Sequence, residues 1–294
     1  MLKLPLLLYF GISIVLAGPR EEAIRLLDQF QSETNNNSRL EQISRIFLGF
    51  PYGKGGPLGE GKEGRYDQDP LYRFDSFDCT TFVETMIALA TSRSLQEFEY
   101  AQDQIRYSKG NIDYLTRKHF TDLQWIPENI AEGFFTEITD SIGGQTKMAR
   151  AMIDFGGWLR SHKIEQIIVP MASQEERLDL LEELHSLAAS YSPVEARVPY
   201  IEINYIITRP ALLDRIPTPS VVNFVRPNWD LTQVAGTHQN ISHQGLLFRR
   251  GKTLYLRHAT ITSGKVEELP LLDYLKRFVN HETLKGIHLL KINL

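Results

Sequence analysis

Apolar positions along the chain fall into two periods. Residues 20–48 carry Ile24, Leu26, Leu27 and Phe30, then a polar break at Asn35-Asn36-Asn37-Ser38, then Leu40, Ile43, Ile46, Phe47 and Leu48, which predicts two short helices. Phe82, Val83, Met86, Ile87 and Ala90 line one face of a third helix, and Leu95 to Tyr107 forms a fourth. Residues 129–165 are mixed in pattern, whereas Glu175 to Ala189 is amphipathic, with Leu178, Leu181, Leu184 and Leu187 on one side. Period-two alternation then takes over. Tyr200 to Ile206 reads as a strand following Pro199, Val221 to Val225 as another, and Asn228 to Asn240 as a loop. Ser242 to Phe248 and Thr253 to Thr260 are two strands joined by a turn at Arg249-Arg250-Gly251-Lys252.

The third helix begins where the chemistry is most suggestive. Phe77-Asp78-Cys79-Thr80-Thr81-Phe82-Val83-Glu84 contains the single cysteine of the 294 residues. Either Asp78 or Thr81 can cap the helix, the latter with Glu84 as capping-box partner. Both choices leave Cys79 in or beside the first turn, where unpaired N–H groups and the helix dipole favour a thiolate. A lone cysteine is more often an inert buried side chain, but the polar residues around this one favour a reactive thiol.

The N-terminus changes the cellular picture. Lys3 followed by the apolar run Leu4 to Leu16, with Val15-Leu16-Ala17 before Gly18, has the make-up of a secretory signal peptide over residues 1–17. The run is short for a membrane anchor. Removing it takes away one lysine, so the formal net charge goes from −4 to −5. That balance gives no reason to expect nucleic acid or an anionic membrane as partner. An exported chain with one cysteine has no internal disulfide, which again favours chemistry for Cys79. Gly53-Lys54-Gly55-Gly56-Pro57-Leu58-Gly59 forbids regular structure and is expected to rim a cleft, with Tyr52 facing inward. Arg117 to Pro127 mixes charge and aromatics, fitting either core plus salt bridges or a groove wall. The eight histidines show no metal-ligand spacing, and no nucleotide-binding glycine motif is present, so neither metal nor cofactor is expected.

Two histidines stand apart from the other six. A two-residue loop at Arg250-Gly251, or a four-residue loop, places His243 opposite His258 on one face of the hairpin, with Cβ atoms ~4.5–5.5 Å apart. One ring can then take the thiol proton while the other orients it.

These stretches resemble a known group. Phe-Pro-Tyr-x-x-Gly-Gly ahead of Asp-Cys at a helix start, then Ser242-His243-x-Gly245 and His258-Ala259 across a hairpin, is similar to the NlpC/P60 superfamily of cell-wall cysteine peptidases and amidases. Phe77 to Glu84, and Arg117-x-His119-Phe120 with Trp125-Ile126, resemble the DUF1460 branch, which is N-acetylmuramoyl-L-alanine amidase-like. The resemblance implies an α+β, reduced papain-like fold with the nucleophile at a helix N-terminus packed on an antiparallel sheet. It implies Cys79 as nucleophile, His243 as base and His258 as orienter, with Tyr52, Asp78, Arg117, His119 and Trp125 bordering the substrate. The 164 positions between Cys79 and His243 require a large helical insertion over roughly 92–215 in a single domain, 18–294.

The expected function is a periplasmic or secreted amidase acting on peptidoglycan or its muropeptide fragments. It would cut the N-acetylmuramoyl–L-alanine bond through a thioester. The alternatives are an endopeptidase between D-glutamate and the diamino acid, and a catalytically silent wall-binding protein.

Overall fold

The computed structural model describes residues 18–53 and 58–294; the expected signal peptide and part of the glycine-rich loop lie outside them. Four helices come first: α1 (Pro19–Gln29), α2 (Asn36–Ile46), α3 (Cys79–Thr91) and α4 (Leu95–Arg106). Asn35 caps α2 by accepting the Ser38 N–H, so the polar break between the first two predicted helices is a cap. Next come α5 (Ile126–Ala131), β1 (Phe135–Glu137), β2 (Thr146–Ile153), α6 (Phe155–Arg160), α7 (Gln174–Leu187), β3 (Val194–Glu202) and α8 (Ile203–Thr208). The last third holds β4 (Ser220–Asp230), α9 (Thr232–Ala235), β5 (His238–Arg250), β6 (Thr253–Thr260), β7 (Lys265–Pro270), α10 (Leu271–Lys276) and β8 (Gly286–Ile292).

The strands form one antiparallel sheet in the order β2-β3-β8-β4-β5-β6-β7, with β1 added to β8. The first four helices cover one face: Phe82, Val83 and Met86 of α3 join Val221, Leu246 and Phe248 of the sheet in one core. On the other face Val222, Leu247 and Leu256 pack with Ile203 and Ile206 of α8 and Leu271 and Leu275 of α10. Side chains alternating between two apolar layers account for the runs Val221-Val222 in β4 and Leu246-Leu247-Phe248 in β5, buried on both faces.

Three expectations are corrected here. The stretch 92–215 is not simply helical, because β1, β2 and β3 lie within it and belong to the central sheet. Its signal was the alternation of buried Ala149, Ala151 and Ile153 with outward-facing neighbours such as Met148 and Met152. The strand expected over Tyr200–Ile206 ends at Glu202, and Ile203 opens α8 so that its side chain and Ile206 fill the second layer. The loop expected over Asn228–Asn240 is shorter than that, since β4 runs to Asp230 and β5 starts at His238.

Candidate active site

Asp78 and Thr81 do not compete for the cap of α3; they cooperate. The Asp78 carboxylate accepts the Thr81 N–H at 2.7 Å, and the Thr81 hydroxyl accepts the Asp78 N–H at 3.0 Å, closing a reciprocal capping box. Cys79 is therefore the first residue of the helix and is half-buried. The N–H groups of Thr80 and Gln244 address Sγ, and the Thr80 hydroxyl lies 3.9 Å away. The same hydroxyl donates to Gln244 Oε1 at 2.7 Å, and Gln244 Nε2 donates to Asn223 Oδ1 at 2.7 Å, so the helix start is tied to β5 and β4. The expected thiolate is corrected: burial, then the Asp78 charge, push the thiol up to about 12, outweighing those donors. Asp78 is thus committed to the helix cap and acts on Cys79 through its charge.

His243 is the residue before Gln244 on β5. Its Nε2 and His258 Nδ1 are 2.5 Å apart, and the rings meet edge to face. The register differs from expectation: the loop is Gly251-Lys252, with Gly251 at φ +57°, so β5 pairs Leu246 with Arg257 and Arg250 with Thr253. His243 and His258 are consequently diagonal neighbours on one face. A shift of two keeps the face, and diagonal positions remain within reach of imidazole rings. The position across from His258 belongs to Gly245, where an added Cβ would come within 3.0 Å of the His258 Cβ and 2.5 Å of Leu256 Cδ1. Among the described residues, His243 Nδ1 has no hydrogen-bond partner. Burial and the neighbouring His258 hold His243 well below the ordinary imidazole range; burial and Arg277 lower His258 to about 3. At rest the trio is a thiol and two neutral imidazoles.

Residues expected to border the substrate separate into two groups. Tyr52 is half-buried beside Phe77, joined to it by a backbone bridge, and burial, Cys79 and Asp78 all push its phenol up. Arg117 and His119 line a cavity of about 630 Å³ with Gly53, Ser76, Trp158 and His162. Gly53 is bound through its N–H to the Phe77 carbonyl, so this cavity opens beside the Cys79 helix start. Arg117 is held by Glu60 at 2.5 Å and Asp67 at 2.9 Å, and His119 packs on Trp158. Trp125 is a correction: it is fully buried beneath α3, its indole N–H donating to Glu84 Oε1 at 2.9 Å, and it faces core.

Sequence reasoning missed Tyr274 and Glu267. The Tyr274 ring stands edge-on to His258, with centroids 5.2 Å apart, and Glu267 of β7 is the cross-strand partner of His258. Neither had a signal that could be read without knowing which strand lies beside β6. Asp122, from the π-helical segment Thr121–Trp125 preceding α5, accepts both the backbone N–H and the side-chain N–H of Asn240, anchoring β5 three residues before His243. Among the described residues no group of His, Cys, Asp and Glu could hold a metal ion, and no helix is long and apolar enough to cross a membrane.

Buried neutral histidines have a consequence for stability. His288, like His258, is lowered to about 3 from the ordinary 6.5, in both cases chiefly by burial. Between 6.5 and 3 the unfolded chain binds protons that the folded one does not, so stability rises with pH and is lost as pH falls through this window. Each such histidine contributes about 1.4 kcal/mol per pH unit. Asp103, raised to about 6 by burial, acts in the opposite sense below that pH. Urea unfolding is expected to show stability lower by about 2–3 kcal/mol at pH 5 than at pH 7. A flat profile would mean that these rings protonate without disturbing the fold.

A helix-start cysteine and a two-histidine hairpin on an antiparallel sheet define the class of protein as mixed α/β. The family model described as N-acetylmuramoyl-L-alanine amidase-like matches residues 42–281, and the chain belongs to this AmiA-like family. It is similar to a Legionella pneumophila protein of the DUF1460 family, with 33% identity, 94% of each chain covered and a TM-score of 0.89. An N-acetylmuramoyl-L-alanine amidase from Bacteroides uniformis shares the fold at 21% identity and TM-score 0.62, over 88% of this chain and 99% of that one. The curated proteins contain no match.

Proposed function

We propose that this protein is an exported cysteine amidase with a reduced papain-like fold in one domain, hydrolysing the bond between the lactyl group of N-acetylmuramic acid and L-alanine in peptidoglycan or its fragments. The observation that supports the reading is the sole cysteine at a helix start, addressed by the backbone N–H of Gln244, the chain neighbour of His243, whose ring is bonded to His258. Family membership supports a cell-wall amidase-like role.

His243 Nδ1 takes the thiol proton as Cys79 Sγ attacks the lactyl carbonyl carbon. The N–H groups that address Sγ, from Thr80 and Gln244, are suited to bind the developing oxyanion. Collapse expels the L-alanine amine, which receives the proton from His243, and leaves a thioester. Water, deprotonated by His243, then hydrolyses the thioester and restores the thiol. In this reading Tyr52 and the Arg117–His119 cavity beside the helix start would hold the peptide or sugar.

Mass spectrometry of products decides the bond. Incubation of the mature protein with a muropeptide carrying intact sugar is expected to give free N-acetylmuramic acid and a peptide with an L-alanine amine, both lost with Cys79→Ala. A sugar–L-Ala–D-Glu product would favour the endopeptidase reading. No product from active-site-intact protein would favour the binding reading.

A further inference from the structure

His258 carries an imbalance that the three-residue site leaves unexplained. Its side chain is fully buried, and its Nε2 makes no hydrogen bond. The carboxylate that approaches that nitrogen is Glu267, with Oε1 at 3.4 Å on the neighbouring strand, and the Arg277 charge acts on the ring in the opposite sense. The pairing is built into the ladder: His258 stands opposite Glu267, while on the other face Arg257 stands opposite Glu268 and binds it. Glu267 has no other ion pair among the described residues, and its side chain is 28% exposed. The remaining groups packed around His258 are the His243 ring from β5, the Phe224 ring from β4, which lies against His243, and Tyr274 with Arg277 from α10.

Proton counting gives this contact a role. Two neutral imidazoles share one proton between His243 Nε2 and His258 Nδ1. If His258 Nδ1 donates, His258 Nε2 presents a lone pair to a carboxylate oxygen, and His243 must carry its other proton on Nδ1, where it is useless as a base. If His243 Nε2 donates, His258 bears its proton on Nε2, facing the carboxylate, and His243 Nδ1 keeps its lone pair for the thiol.

Resting on the cysteine-amidase reading of the site, we propose that Glu267 is a fourth, positioning member: acting through His258, it selects the tautomer that makes His243 a base and stabilises the imidazolium once Cys79 gives up its proton. Glu267 touches neither substrate nor reacting atoms. Its effect therefore belongs in the charge state of the Cys79–His243 pair.

Alkylation of Cys79 by iodoacetamide reads that charge state without any substrate, and Cys79 is the only cysteine in the chain. Labelling rates between pH 5 and 9 are compared for wild type, Glu267→Gln, Glu267→Asp, His258→Gln and the Glu267→Gln/His258→Gln double variant, each checked for folding by circular dichroism. Glu267→Gln is expected to slow labelling at pH 7 about tenfold and to move the rise in rate to higher pH. Glu267→Asp, which keeps the charge, is expected to retain most of the rate, and it carries the test if the glutamine variant folds poorly. In the His258→Gln background the second change is expected to add nothing. Wild-type labelling by Glu267→Gln at every pH, or an undiminished effect without His258, would overturn the proposal. Normal labelling shifts with no muropeptide cleavage would overturn the amidase reading and leave this one standing.

Discussion

Replacing Cys79 by serine is expected to lower kcat/KM on the muropeptide at least about 10⁴-fold while leaving the melting temperature within a few degrees of wild type. The environment explains the size of the loss. The thiol is already pushed up to about 12 by burial and by Asp78, and His243 is held low by burial and His258. In the proposed mechanism proton transfer between them is therefore uphill at rest, and it would be completed through the intrinsic nucleophilicity of sulfur and the nearby N–H groups that favour negative charge. A serine hydroxyl starts several pH units higher than a thiol and is less nucleophilic in the same geometry. Structure is expected to survive because the helix cap is made by Asp78 and Thr81, and Cys79 contributes no packing that an oxygen disrupts. The measurement is steady-state hydrolysis beside a thermal melt. Retention of more than about 1% of activity would remove Cys79 from the role of nucleophile.

The same wild-type assay against pH reports the Cys–His unit as a whole, since its members titrate together. Activity is expected to fall on the acid side as the His243–His258 pair takes up a proton, and to fall at lower pH than for an isolated imidazole because both rings are depressed by burial.

How far the sequence carried this site depended on whether the signal was local. The cap, the apolar face and the first-turn position of Cys79 all lie within thirteen residues, and helix periodicity exposes them directly. The histidine pair survived an error of two positions in register because a strand's period of two returns the same face. Gly251, able to take a positive φ as the first loop residue, was the sign that the turn is Gly251-Lys252. The insertion was less legible. β2 pairs with β3, at least forty residues downstream, and β3 in turn with β8, so the alternation at Ala149, Ala151 and Ile153 had no partner strand nearby to mark which side faces a core. Glu267 and Tyr274 were silent for the same reason. A glutamate in an exposed-looking strand and a tyrosine in a short helix acquire meaning only when β7 is laid beside β6. Trp125 misled in the opposite direction, since an aromatic among charges reads equally as groove wall or as core.

The largest effect on folding is expected from Glu84, one and a half turns below Cys79. Its carboxylate is buried and accepts Arg106 Nη1 at 3.0 Å and Trp125 Nε1 at 2.9 Å; Arg106 Nη2 in turn binds the Leu58 carbonyl at 2.7 Å. Four separate pieces of chain, α3, α4, the approach to α5 and the loop at Leu58, are thereby joined under the nucleophile. Burial pushes the Glu84 carboxyl up and Arg106 pulls it down, so the pair is held by mutual charge in a place that water does not reach. Glu84→Ala leaves the guanidinium without its counter-charge and the indole N–H without an acceptor. Loss of one partner from such a buried pair costs about 3–5 kcal/mol, so a fall in melting temperature of about 10 °C is expected. The control is the double variant Glu84→Leu with Arg106→Met, which removes both charges and refills the volume; it is expected to recover most of the stability, because an apolar pair does not incur the desolvation that burying two ions requires. If Glu84→Ala melts like wild type, the network is incidental to the placement of Cys79. If the double variant melts as low as the single one, the hydrogen bonds of Glu84 with Trp125 and of Arg106 with Leu58, and not the unpaired charge, carry the stability.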